Sequence, residues 1–220
     1  MLTAQESNIH SRLLPYLDEE GDPFRVPASF EEYLAFADIA PFKVEYSQGN
    51  LVHMGSPTDA HELICGNLIW FLNVIFQEKE TARVYGSNLS VLIQESGHHY
   101  KPDVTVLETD PEFVSHRAKK KTYKSVINPF LVAEVFSDGT MDYDYTEKLP
   151  NYKLCPTLNY ILLVHQHKPF VTLYQREQDF WKSQEYNQLD QMIQIGGHEL
   201  ALGKIYQKVK FLGKSPGSTK

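Results

Sequence analysis

The sequence is poor in cysteine, has no long apolar run and carries no excess of positive charge. Its two cysteines, Cys65 and Cys155, lie far apart without the spacing of a metal-ligand pair, and read as buried or half-buried thiols of a reducing cytoplasm. No stretch of about eighteen apolar residues occurs, so no spanning helix and no membrane partner are expected. Met1 to Arg12 has no basic patch leading into an apolar core, so no secretory signal is expected. The formal net charge of −7 argues against indiscriminate nucleic-acid binding, which relies on many Lys and Arg contacts to phosphate. It leaves room for a local basic surface, because whole-chain charge is a poor judge of any one patch. The 220 residues suit one domain with a substantial core, and no repeat or internal linker is visible.

The chain divides into an N-terminal arm over 1–27, one domain over 28–212 and a disordered tail over 213–220. Pro15, Gly21, Pro23 and Pro27 break the arm. Ser29 suits the cap of a short helix over Phe30 to Ala37. Strands at Lys43 to Tyr46 and Leu51 to Met54 flank a turn at Ser47 to Asn50. Apolar residues at Ala60, Leu63, Ile64, Leu68, Phe71, Leu72, Ile75 and Phe76 mark a long helix, capped by Thr58 or Asp59. Strands follow at Arg83 to Tyr85, Ser87 to Gln94 and Asp103 to Glu108, with His98-His99 in an exposed turn. Thr109 to Asn128 reads as a polar loop carrying Arg117, Lys119, Lys120, Lys121 and Lys124. The strand Phe130 to Phe136 leads into a helix over Asp142 to Leu154. Strands at Asn159 to Val164, Phe170 to Gln175, Phe180 to Glu185 and Gln191 to Ile195 follow, with a turn at Gly196 to Glu199. This order predicts an α/β domain with one mixed β-sheet flanked by helices.

Two carboxylates stand on strand-like apolar runs. Asp103 opens Val104 to Leu107, and Glu134 sits inside Phe130 to Phe136. A buried carboxylate costs several kcal/mol unless something pairs with it, and two on neighbouring strands repel. A divalent metal between them reverses that balance, because hard cations take oxygen ligands. The Val135 carbonyl is the expected third ligand. Lys148 lies on the following helix, sharing a face with Asp144 and Tyr152. It is placed to orient or deprotonate a water and to stabilise charge on a phosphate. Together they predict a phosphodiester hydrolase site, in which Lys148→Ala would abolish cleavage and leave folding nearly intact.

Pro102-Asp103, then Glu134-Val135-Phe136-Ser137, then Thr140, Asp144, Lys148 and Tyr152 stand in an order that resembles the Uma-type restriction endonucleases, of the PD-(D/E)XK nuclease superfamily. Phe30 to Leu34, Val44 to Val52, Ser56-Pro57 with His61 and Leu68, and Tyr160 to Val164 extend the likeness over roughly residues 28 to 180. The resemblance implies a restriction-endonuclease-like fold, Mg2+ or Mn2+ as cofactor, and DNA phosphodiester hydrolysis. It makes Asp103 and Glu134 metal ligands, Glu45 an accessory acid beside them, and Lys148 the catalytic lysine. Two departures stand out: Phe136 occupies the strand position of the superfamily's lysine, and His165 follows the late strand where aspartate is common.

Each residue also has a plainer reading. Glu134 could pair with a buried Lys or Arg. Lys148 could be a solvated residue bridged to Asp144, and Glu45 could be structural. His61 reads as a packing or capping residue, and the aromatic run as core. Lys119, Lys120 and Lys121 read either as a solvated loop or as phosphate contacts beside the acidic site. The function is thus a metal-dependent DNA endonuclease or a hydrolase of another phosphate ester. The alternative is a nucleic-acid-binding or regulatory protein on a nuclease scaffold, favoured by the missing strand lysine and the acidic charge. One active site per chain would suit a homodimer for double-strand cutting.

Overall fold

The computed structural model describes residues 11, 23–37, 39–40, 42–118 and 121–211. The sequence signals at the front of the chain produce the expected local structures. Ser29 accepts from the Glu32 amide while the Glu32 carboxylate accepts from the Ser29 amide, a reciprocal box that starts α1 (Phe30–Ala37). Strands β2 (Val44–Ser47) and β3 (Asn50–His53) form a hairpin closed by Gln48 and Gly49. Both turn residues have positive φ, 46° and 77°, the geometry that fits the twist of paired strands and suits glycine. Thr58 accepts from the His61 amide and starts α2 (Asp59–Phe76).

The expected arm ends earlier than residue 27. Phe24–Pro27 form β1, paired antiparallel with β3, because the hairpin's outer edge offers free backbone groups. The earlier arm, residues 1–22 apart from Ser11, and the tail from 212 lie outside the described residues. The remaining strands are β4 (Arg83–Gly86), β5 (Val91–Ile93), β6 (His98–Tyr100), β7 (Val104–Leu107), β8 (Phe113–Ala118), β9 (Lys121–Val126), β10 (Leu131–Phe136), β11 (Tyr160–His165), β12 (Val171–Glu177), β13 (Phe180–Tyr186), β14 (Met192–Ile195) and β15 (His198–Ala201). Between β10 and β11 the chain is helical: α3 (Met141–Tyr143), a π-turn (Asp144–Lys148) and α4 (Leu149–Leu154). A last short helix, α5, covers Leu202–Ile205.

The strands form two large mixed sheets and a small hairpin, where one sheet was expected. The first runs β1-β3-β2-β6-β5-β9-β8 and the second β13-β12-β11-β10-β7-β4. The split arises from two segments read otherwise in the sequence. His98 and His99 are buried in β6, which joins β2 to β5, and the supposed polar loop is the hairpin β8–β9. β9 is exposed or half-buried over Lys121–Lys124 and buried only at Ser125 and Val126, so no strand period is visible there. His198 and Glu199, expected in a turn, already pair with Ile195 and Gln194.

Helix α2 covers one face of the second sheet. Ile64, Leu68, Leu72 and Phe76 pack with Leu131, Ala133 and Val135 of β10, while β14, β15 and α5 complete that layer. The alternate residues Val132 and Phe136 turn to the other face, where Leu149, Tyr152 and the first sheet's Val52, Val91 and Tyr100 pack. Glu134 shares that second face by strand alternation. Helix α1 closes the far side of the first sheet through Tyr33, Leu34 and Phe36. Leu68 has no exposed surface, so Leu68→Ala should lower the unfolding free energy by about 2–5 kcal/mol in a denaturant titration.

Candidate active site

The second sheet brings the two expected carboxylates to one level. β7 and β10 are antiparallel, and their register ends with Ala133 opposite Val104. One further step sets Glu134 opposite Asp103 and Val135 opposite Pro102. Asp103 Oδ2 accepts from the Val135 amide at 2.9 Å, which anchors the carboxylate at the strand end. In an antiparallel strand the Val135 carbonyl points to the same side as its amide, toward Pro102, which has no N–H to give it. Asp103, Glu134 and Val135 all line one cleft of about 440 Å³, together with Lys43, His61, Lys101, Asp144 and Lys148.

Asp103 has two cationic neighbours. Lys43 Nζ lies 2.8 Å from Oδ1 and His61 Nε2 lies 3.2 Å from Oδ2. Burial works against the carboxylate charge, but Lys43 and then His61 hold its pKa well below the usual range. Neither partner was foreseen. Lys43 stands sixty residues away, and His61 at the start of a helix reads as a packing or capping residue. In fact His61 lies one turn into α2 on the face that meets Asp103, and burial is overcome by that hydrogen bond, which raises its pKa. Cys65, one turn further, brings its Sγ within 3.6 Å of His61 Nδ1.

Glu134 meets a different set. The π-turn carries Lys148 into the interior with no exposed surface, so the solvated reading does not hold. The Leu149 amide donates to the Asp144 carbonyl, five residues back. Pro150 supplies the cause: it has no N–H, and its ring crowds the carbonyl of Thr146, which favours a widened turn. Lys148 Nζ lies 3.2 Å from Glu134, 3.3 Å from Glu45 and 3.5 Å from Asp144, and none of these is aligned as a hydrogen bond. Tyr152 donates to Glu134 Oε1 at 2.5 Å. The rings of Tyr143 and Tyr100 flank the ammonium at 5.3 and 5.9 Å.

Glu45, expected beside the metal, does not reach the cleft. Its oxygens accept from the Lys101 amide at 2.8 Å and the Tyr143 hydroxyl at 3.3 Å, and it sits behind Lys148 as a fully buried anchor. Burial opposes the Lys148 charge, but Glu134, Glu45 and Asp144 overcome it and hold its pKa well above the lysine range. In this metal-free arrangement the ammonium form of Lys148 is favoured. One ammonium cannot neutralise three carboxylates. Burial accordingly raises the pKa of Glu134, to about 8, and of Asp144, pushing both toward the neutral acid. Hard oxygen donors and a carbonyl without a backbone partner fit a divalent cation at Asp103, Glu134 and Val135.

The basic residues stand elsewhere. Lys119 and Lys120 lie outside the described residues, and Lys121 opens β9 with an exposed side chain. Lys121 does not line the cleft. Lys124, from the same hairpin, lines a neighbouring cavity that shares Ala37, Asn88 and Lys101 with it.

Residues 30–202 match the Uma2 family, described as "Putative restriction endonuclease". The chain belongs to this family. Two similar proteins come from Synechocystis sp. The "uncharacterized protein sll1609" is 28% identical over 148 residues, covering 67% of this chain and 80% of that one. The "uncharacterized protein slr1290" is 28% identical over 184 residues, covering 82% and 92%. Among solved structures, a "putative nuclease belonging to DUF820" from Anabaena variabilis superposes with a TM-score of 0.60 at 16% identity. It covers 82% of this chain and 98% of that one. The shared fold is the expected restriction-endonuclease-like one. Within this Uma2 chain, Phe136 fills the usual lysine position with an apolar ring packed on Tyr145 and His165. His165 turns its Nε2 to Asp138 at 3.1 Å.

Removal of Lys148 would leave three carboxylates buried without a counterion. Lys148→Met should lower stability by about 3–5 kcal/mol in a denaturant titration, contrary to the near-intact folding expected for an exposed lysine. Acid should reveal Asp103 separately. Its folded pKa is depressed, so its contribution is present above the unfolded value near about 4 and is lost as pH falls below that. Asp103→Asn should flatten the acid limb of a stability–pH curve.

Proposed function

We propose that this Uma2 chain is a divalent-metal-dependent DNA endonuclease. The observation that carries the reading is the level placement of Asp103 and Glu134 across β7 and β10, with the Lys148 ammonium 3.2 Å from Glu134. Asp103, Glu134 and the Val135 carbonyl would hold Mg2+ or Mn2+, which supplies Lewis-acid polarisation of the phosphate and activation of water. Lys148 keeps Glu134 in position and places a fixed positive charge behind it, where negative charge grows in the transition state. Lys43 holds Asp103 and, with about 21% of its side chain exposed, faces the cleft beside Lys101. These two lysines offer charge to the phosphate on the solvent side.

The hairpin β8–β9 extends the surface for DNA. Lys124 connects it to the cleft through the cavity that Lys101 also lines. Lys119, Lys120 and Lys121 would contact backbone phosphates, a positional role that carries no sequence information. Among the described residues no helix is long and apolar enough to cross a membrane, and Cys65 and Cys155 are free thiols, which suits a reducing cytoplasm. The binding-protein alternative draws on one observation: Phe136, where the superfamily's lysine would stand, is sealed in the core.

Plasmid, single-stranded DNA and RNA, each incubated with Mg2+ or Mn2+, test the reading. The wild type should cut DNA, and Asp103→Asn and Glu134→Gln should each slow cutting by at least about a hundredfold. Binding of metal without cutting of any substrate would support the binding protein. Triple replacement of Lys119, Lys120 and Lys121 by Ala should lower DNA affinity and flatten its salt dependence.

A further inference from the structure

Asp103 belongs to a second constellation. His61 and Cys65 lie one helical turn apart on α2 and point from the same face at the end of β7. His61 Nε2 lies 3.2 Å from Asp103 Oδ2, and Cys65 Sγ lies 3.6 and 4.0 Å from the two ring nitrogens of His61. One donor atom from each of the three falls within 4.8 Å of the others. Bond lengths of about 2.0–2.3 Å in a tetrahedral zinc site imply ligand–ligand edges of about 3.3–3.8 Å, so this spacing needs only small side-chain adjustment. The three residues come from a helix and a strand end packed into one core, not from loops.

We propose that His61, Cys65 and Asp103 form a second cation site, selective for a thiophilic metal such as Zn2+, that shares Asp103 with the Asp103–Glu134 pair. The donor chemistry separates the two sites. Glu134 and the Val135 carbonyl offer hard oxygen, while Cys65 offers sulfur and His61 a borderline nitrogen, which favour zinc over magnesium. Asp103 Oδ2 is the shared atom, and Lys43 remains on Oδ1. The fourth position faces the cleft, which His61 and Asp103 both line. Burial raises the Cys65 pKa, so the thiol is protonated in the metal-free protein. Forming the metal–sulfur bond releases that proton to solvent, and His61 must also be neutral, so binding strengthens as pH rises. Zinc here would commit the Asp103 charge to α2 and deprive the oxygen site of a ligand. That last consequence rests on the nuclease reading; the existence of the site does not.

Titration of Co2+ into the full-length protein reads the site directly, because cobalt–thiolate bonds absorb by charge transfer and oxygen or nitrogen ligands do not. The wild type should show a saturable thiolate band that Zn2+ abolishes. Cys65→Ser and Cys65→Ala should both lose the band while keeping a native circular dichroism spectrum, and His61→Ala should weaken cobalt binding more than about tenfold. Glu134→Gln, which disables the proposed hydrolytic centre, should keep the band whether or not the wild type cuts DNA. Absence of a band in the wild type, or a band that survives loss of Cys65 and so arises at Cys155, would overturn the proposal. A band lost in Glu134→Gln would also overturn it, since the sulfur site would then not be separate.

Discussion

The buried ammonium of Lys148 is the interaction on which the rest of the centre depends. It lies among Glu45, Glu134 and Asp144 and is flanked by two tyrosine rings, with no water-exposed surface. Removing a charge of this kind from water costs several kcal/mol, so the sites around it must be built for it. The π-turn delivers the lysine, the β2 strand delivers Glu45, and β10 delivers Glu134. Helix, first sheet and second sheet are therefore joined at one atom. This pairing ties the two sheets together at the place where the cleft opens.

The centre has a polarity that follows from charge balance. On the Asp103 side, one carboxylate has Lys43 and His61 for company and remains ionised. On the Glu134 side, three carboxylates share one ammonium, and burial pushes two of them toward protonation. On the proposed reading, a cation in the cleft would meet a ready anion at Asp103 and favour the ionised form of Glu134. On the same reading Lys148 serves as a fixed charge, the form of assistance that a low-dielectric site rewards most.

The sequence made the two-carboxylate centre legible because each carboxylate broke an apolar run, and such breaks have few structural reasons. Lys148 was legible from the ordered motif, but its depth was not, since helical spacing cannot tell a solvated face from a buried one. The long helix and the Gln48-Gly49 hairpin were legible from periodicity and turn chemistry. The partition into two sheets was not. It rests on β6, whose histidines pass for turn residues, and on β8–β9, whose alternation is hidden by lysines and arginine on an exposed ribbon. Lys43 and His61 were missed as partners of Asp103 because their contacts join segments sixty and forty-two residues apart. His61 did leave a trace: with Cys65 it falls on one face of α2 at helical spacing, a pattern that gains meaning only once Asp103 is set against it.

The most direct test of the account is a crystal structure of the protein soaked in Mn2+, read by anomalous scattering. The account predicts an anomalous peak at the cleft floor with Asp103, Glu134 and the Val135 carbonyl within about 2.0–2.4 Å, and Lys148 still within ion-pair distance of Glu134 and Glu45. No peak at that position under saturating Mn2+, or a peak ligated without Glu134, would contradict it.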